Sequence, residues 1–182
     1  FVVIVIGGIG SIRGAFIAAL IVGLIDTMGR SFLDVLLSLV MSASAADSGE
    51  LYGAIEVGGL IRTVDGGESW ENLSHGLYAN DDFVDMHGVM ASSLSPGTVL
   101  SISRAGMFRS TDRGDHWTHV DLEPLNAKGQ TYCRGIKEVP GDPKTVWVAA
   151  GGNFQSDLGV LFRSKDVGAT WERVDMGFEA NS

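Results

Sequence analysis

"STDRGDHW", residues Ser110–Trp117, has the form S-x-D-x-G-x-x-W. Asp112 and His116 are both proton carriers, so a catalytic reading exists. Asp and Gly are equally the residues of tight turns, and Trp a residue of cores. Recurrence decides between the two. "TVDGGESW" (Thr63–Trp70) and "SKDVGATW" (Ser164–Trp171) share the form, and the three stretches start 47 and then 54 residues apart. Average residue usage yields this pattern at roughly one position in 10⁵. Three occurrences in 182 residues are therefore copies of one device. The aligned positions are Thr63/Ser110/Ser164, Asp65/Asp112/Asp166, Gly67/Gly114/Gly168 and Trp70/Trp117/Trp171.

The repetition extends beyond these eight residues. "GLIRT", "GMFRS" and "LFRS" precede the three copies, and Leu73, Val120 and Val174 follow their tryptophans at the third place. Upstream, "HGVMASSLSPGTVLSIS" (His87–Ser103) aligns with "RGIKEVPGDPKTVWVAA" (Arg134–Ala150). Each unit reads as four short strands separated by turns, the pattern of one antiparallel propeller blade, and the period fits. Within the turn, the Asp carboxylate is expected to accept backbone N–H groups and the Ser or Thr hydroxyl to close a second local bond. The glycine permits a positive φ or a close backbone approach. The tryptophan is expected to cover the sheet face against its neighbour. Arg62, Arg109 and Arg163 recur in register and read as structural partners.

These motifs resemble the Asp-box, or BNR-repeat, family of β-propellers found in sialidases, sortilin-type receptors and photosystem assembly factors, over residues of about 47–175. The resemblance implies boxes at the blade periphery, away from a ligand-binding axis, and so a stapling role for Asp112. It leaves function open. The early arginine motif followed by Ile-Pro that sialidases carry is absent, and glycoside hydrolysis needs two carboxylates at a defined separation that sequence does not show.

The loops that do not repeat are the better places for binding. "HGLYANDDFVDMHG" (His75–Gly88) supplies Asp82, Asp85 and His87, and "GQTYCRG" (Gly129–Gly135) supplies Tyr132, Cys133 and Arg134. Long inter-blade loops gather at one mouth of a propeller, so these residues are expected on one rim, facing a protein or glycan ligand. Asp82, Asp85 and His87 have the donor types of a divalent-metal site. Acidic loops of an acidic protein are ordinarily just solvated, so no metal and no cofactor is expected. Cys133 has no activating neighbour except Arg134 and is not read as reactive.

The charges divide the chain. Residues 1–40 carry only Arg13, Asp26, Arg30 and Asp34, and the net charge of −9 belongs to the remainder. An acidic chain lacks the basic face that phosphate backbones require, which argues against nucleic acid. The front stretch "FVVIVIGGIGSIRGAFIAALIVGLIDTMGRSFLDVLLSLV" misses the dinucleotide fingerprint, because Arg13 stands where the third glycine belongs. Ala15, Ala19 and Gly23 share one helical face, as small residues do in packed membrane helices. "VIGGIGSIRGAFIAALIVGLIDTMGRSFL" resembles the C-terminal end of the permease subunit of branched-chain amino acid or urea ABC transporters. That implies one late membrane helix, without a transport pathway. "GRSFLDVLLSLVMSASAA" also imitates a signal peptide, although Asp34 interrupts its apolar core.

The expected organisation is an apolar, helical, transmembrane-like segment at 1–40, a linker at 41–47, and at 48–182 an all-β partial propeller of two and a half to three four-stranded antiparallel blades. The chain opens on Phe1 rather than Met and reads as a piece of something longer. Membrane permeases and Asp-box propellers are not expected partners, so a fusion of frames is one explanation of the join. The functional expectation is a non-catalytic scaffold or binding module, membrane-associated through residues 1–40, its propeller part soluble and packed against further blades. The alternatives are an exo-glycosidase fragment of the sialidase kind and a permease fragment.

Overall fold

The computed structural model describes residues 39–77 and 80–174, which fall in one compact unit. The helical membrane segment and permease resemblance of residues 1–38 lie outside the described residues. Among those described, no helix is long and apolar enough to cross a membrane.

The described chain is all-β, in three four-stranded antiparallel sheets, each built from consecutive strands. The first holds β1 (Leu39–Ala43), β2 (Leu51–Ile55), β3 (Gly59–Thr63) and β4 (Glu71–Asn72). The second holds β5 (Met86–Ala91), β6 (Val99–Ser103), β7 (Gly106–Ser110) and β8 (Thr118–Val120). The third holds β9 (Tyr132–Val139), β10 (Asp142–Gly151), β11 (Gly159–Ser164) and β12 (Glu172–Val174). Three whole blades are therefore present. The first begins earlier than the sequence reading placed it: residues 41–43, read as linker, pair with Leu51–Gly53 as part of β1. An apolar run passing straight into a strand carries no compositional break to mark the join.

The blades stack face to face in chain order. The face of blade 1 carrying Tyr52, Ala54 and Leu60 meets Val89, Val99 and Phe108 of blade 2. The opposite face of blade 2, with Ile102 and Met107, meets Val148, Val160 and Phe162 of blade 3. The first strands of the blades lie side by side and are tied directly. Ala91 N–H donates to Ser42 Oγ at 3.0 Å, and the His87 ring lies 2.6 Å from the Cys133 carbonyl through Nδ1. The middle blade shows the consequence, since every residue of β6 is buried. In blade 3 burial alternates, with Val146, Val148 and Ala150 buried and Trp147 and Ala149 only half-buried. Alternation of this kind marks a sheet covered on one face.

Antiparallel order gives each blade two distinct ends. The repeated turns join β3 to β4, β7 to β8 and β11 to β12, at the same end as the β1–β2, β5–β6 and β9–β10 connections. The loops between blades, and the β6–β7 and β10–β11 connections, lie at the other end.

Candidate functional site

Geometry settles the reading of Asp112. In all three turns one carboxylate oxygen accepts both the Ser or Thr hydroxyl two residues back and the backbone N–H four residues on. Those amides belong to Ser69, His116 and Thr170. The other oxygen takes the side chain of that fourth residue: Ser69 Oγ, His116 Nδ1 or Thr170 Oγ1. His116 thus stands where serine and threonine stand in the sister turns, and its side chain is 89% exposed. Its contact with Asp112 is a staple, not a catalytic pair. These bonds favour the ionised form. The Ser69 hydroxyl and amide hold Asp65 well below the usual carboxylate range, and the His116 amide and Ser110 hydroxyl do the same for Asp112. For Asp166, burial pushes upward but the bonds from Thr170 and Ser164 outweigh it.

The turns also lock blade to blade. The residue after each Asp has positive φ: Gly66 +77°, Arg113 +64° and Val167 +57°. Its N–H donates within its own blade, to Gly49, Gly97 and Lys144 carbonyls. Its carbonyl points to the preceding blade, where the recurring arginine waits. Arg62 Nη1 donates to Arg113 O at 2.6 Å, and Arg109 Nε to Val167 O at 3.3 Å. Arg62 also pairs with Glu71 and with Asp115 of the second turn. Trp117 donates its indole N–H to Leu73 O of blade 1 at 2.8 Å, and Trp171 packs on Leu100, Met90 and Val146. Trp70 departs from the expected wedge and is 42% exposed. No described blade precedes its own.

The rim expectation meets a real cleft. The loop residues singled out from sequence converge at the end opposite the turns, around a cleft of about 300 Å³ lined by Asp82, Arg104, Lys128, Gln130, Tyr132 and Phe154, among others. Arg104 Nε lies 3.3 Å from Asp82, and its Nη1 lies 3.3 Å from Asp85. Gln130 Nε2 donates to Asp82 Oδ2 at 3.4 Å. The rings of His87 and Tyr132 are 4.8 Å apart, and the Arg134 guanidinium lies 4.8 Å from the centroid of the Tyr132 ring, anchored on Phe154 O at 2.8 Å. Because a carbonyl only accepts, the His87 Nδ1 proton is committed to Cys133 O. Asp85 Oδ1 is buried without a hydrogen bond, 3.6 Å from His87 Nε2.

Two members escaped the sequence reading. Phe154, 64% exposed in the β10–β11 loop, was signalled by a lone aromatic in "GGNFQSDLG". Arg104 sits in a two-residue turn and carried no signal. Cys133 is fully buried, and burial pushes its thiol up to about 12, so it is chemically quiet. Among the described residues no cluster of three or more His, Cys, Asp or Glu is placed to hold a metal. A second groove of about 400 Å³ runs between the turns of blades 2 and 3. Its Asp112 and Arg109 are already engaged in the bonds described above.

Three stacked four-stranded antiparallel blades are a sector of a β-propeller. No family model matches the chain. A xyloglucanase of Paenibacillus is 30% identical over 141 residues, spanning 68% of this chain and 13% of that protein. Among solved structures, an ancestral GH74 enzyme superposes with a TM-score of 0.63 at 19% identity, over 80% of this chain and 19% of that one. YCF48 from Cyanidioschyzon merolae gives 0.52 at 19% identity, covering 75% of this chain and 39% of its own. YCF48 bound to D1 peptide gives 0.51 at 22%, covering 75% and 40%. The chain therefore spans a small part of each relative, and the likeness fixes the propeller fold.

Proposed function

We propose that this chain is a propeller sector of a glycoside hydrolase related to the xyloglucanases, and that the cleft between blades 2 and 3 holds its glycan chain. The observation that carries this reading is the convergence of Tyr132 and Phe154 with Asp82, Arg104, Gln130 and Arg134 at one rim. A pyranose ring offers an apolar C–H face to an aromatic ring and a circumference of hydroxyls to polar groups. Ionised groups bond such hydroxyls more strongly than neutral ones do, and a few polar groups on an aromatic floor are the usual makings of an orienting site. The 30% identity to a xyloglucanase supports a glucan over a sialylated sugar. Asp82 and Asp85, both facing Arg104, act in this reading as acceptors for sugar hydroxyls.

A non-catalytic binding role is the second reading. It is favoured by the same ion pairing, since a carboxylate held by a guanidinium is a poor proton donor at neutral pH. Calorimetry with xyloglucan oligosaccharides, run beside a reducing-end assay, separates the two. The hydrolase reading expects binding and new reducing ends. Tyr132→Ala and Phe154→Ala each weaken binding about tenfold, the loss of ~1.4 kcal/mol of stacking. Binding without cleavage selects the second reading. Undiminished binding in both variants removes the cleft from either.

A further inference from the structure

We propose that two copies of this chain assemble head to tail, the uncovered face of blade 3 in each receiving blade 1 of the other, to close a six-bladed ring. The two junctions inside the chain supply the template. In each, the leading blade offers an arginine and a leucine, and the following blade offers a turn with an outward carbonyl, a glycine and a tryptophan. A Cβ on Gly114 would stand 2.6 Å from Leu73 of blade 1, and one on Gly168 would stand 2.7 Å from Leu100 of blade 2. The same construction on Gly67 of the first turn meets nothing nearer than its own Trp70 at 3.8 Å. The first turn is thus built like the other two but is unfilled by any described residue.

The far end of the sector offers what that turn lacks. Arg163 occupies the place of Arg62 and Arg109, and it pairs with Glu172 in its own blade as Arg62 does with Glu71. Trp147, opposite Arg163 in the ladder, stands where Leu100 faces Arg109. Trp147, Ala149 and Leu161 are half-buried where their counterparts in blade 2 are buried. Blade 1 for its part exposes Trp70, and Met41 is 47% exposed beside Gly53 on the same outer face. Charge agrees as well. Glu68 stands in the first turn where Asp115 stands in the second, and Asp115 is the carboxylate that Arg62 reaches across the junction.

Docked on this template, Arg163 donates to the Gly66 carbonyl and pairs with Glu68, while Trp70 caps β12 beside Val174. A heterologous contact either closes or grows into a filament. Two copies bring six blades, within the range in which propellers close, so closure at a dimer is the expected end point.

Sedimentation equilibrium of the full chain across a hundredfold concentration range tests this. The expected species has twice the chain mass. Trp70→Ala and Arg163→Glu each weaken dimerisation about tenfold or more, and Glu68→Arg combined with Arg163→Glu restores most of it. Circular dichroism checks that each variant remains folded. A chain that stays monomeric overturns the proposal. So does a dimer insensitive to all these changes, which would be held by another surface such as residues 1–38. Failure of the charge swap to restore assembly overturns the assigned pairing.

Discussion

Gly168→Ala probes how blades 2 and 3 are held together, and Gly66→Ala is its matched control. Both glycines have nearly the same left-handed conformation, φ +76° and +77°. They differ in what surrounds them. A methyl on Gly66 meets nothing within 4 Å, whereas one on Gly168 lies 2.7 Å and 2.9 Å from the two methyls of Leu100, itself fully buried. Left-handed alanine costs about 1–2 kcal/mol. Removing glycine's freedom from the unfolded chain returns about 0.4–1 kcal/mol. Gly66→Ala should then destabilise by about 0.5–1 kcal/mol. Overpacking adds about 1–3 kcal/mol at Gly168, for a total of about 1.5–4 kcal/mol. Urea unfolding followed by tryptophan fluorescence reads both through the shift in midpoint at constant slope. Leu100→Ala supplies a cycle, because truncating that leucine removes the clash and the double variant should cost less than the sum of the singles. Equal destabilisation at the two glycines, or additive behaviour with Leu100→Ala, would refute the claim that the third turn seats directly on blade 2.

Val167 is a β-branched residue at φ +57°, held there by its N–H to Lys144 O and by Arg109 on its carbonyl. Val167→Gly should keep both bonds and relieve strain of order 1–3 kcal/mol at some cost in chain entropy, raising the urea midpoint. A lower midpoint would mean that the valine side chain contributes packing that outweighs its strain. The depressed carboxyls of Asp65, Asp112 and Asp166 set the response to acid. A carboxyl lowered in the folded state stabilises above its unfolded pKa of about 3.9 and loses that stabilisation as pH falls towards the folded value. Midpoints should therefore hold from pH 7 to about 5 and decline below about 4. The triple Asn variant should show a shallower decline.

The repeated turn was legible because all its bonds are local. Thr63, Asp65, Gly67 and Ser69 are spaced so that a hydroxyl, a carboxylate and two amides close on one another within a single bend. A spacing that encodes its own geometry can be read from a string of letters. The cleft is the opposite case. Its pieces are local, Asp82 in one loop and Tyr132 in the next, but their meeting depends on β5 lying beside β9. The stacking order of the blades supplies that, and no spacing does. Tyr132 and Asp82 were found because they sit in unrepeated loops. Arg104 was missed because two-residue turns look alike whatever they carry. The start of blade 1 was missed for a third reason: β1 follows an apolar stretch without any turn residue between them.

The two ends of each blade answer different demands. At the turn end every blade must present the same carbonyl and the same glycine, because the preceding arginine and apolar side chain arrive there in the same way each time. Substitution at that end is therefore felt by two blades at once. At the other end the inter-blade loops need only leave one blade and enter the next, so their residues are free to differ. The structure follows that division: blades 1 and 2 are joined there by residues 73–85, and blades 2 and 3 by residues 121–131. Asp82 and Asp85 come from the first loop and Gln130 from the second, and together they build a cleft that neither loop could form alone. A repeat that spends identical residues on cohesion at one end leaves the opposite end as the place where chemistry can vary, and that is where the aromatic and charged side chains of this sector meet.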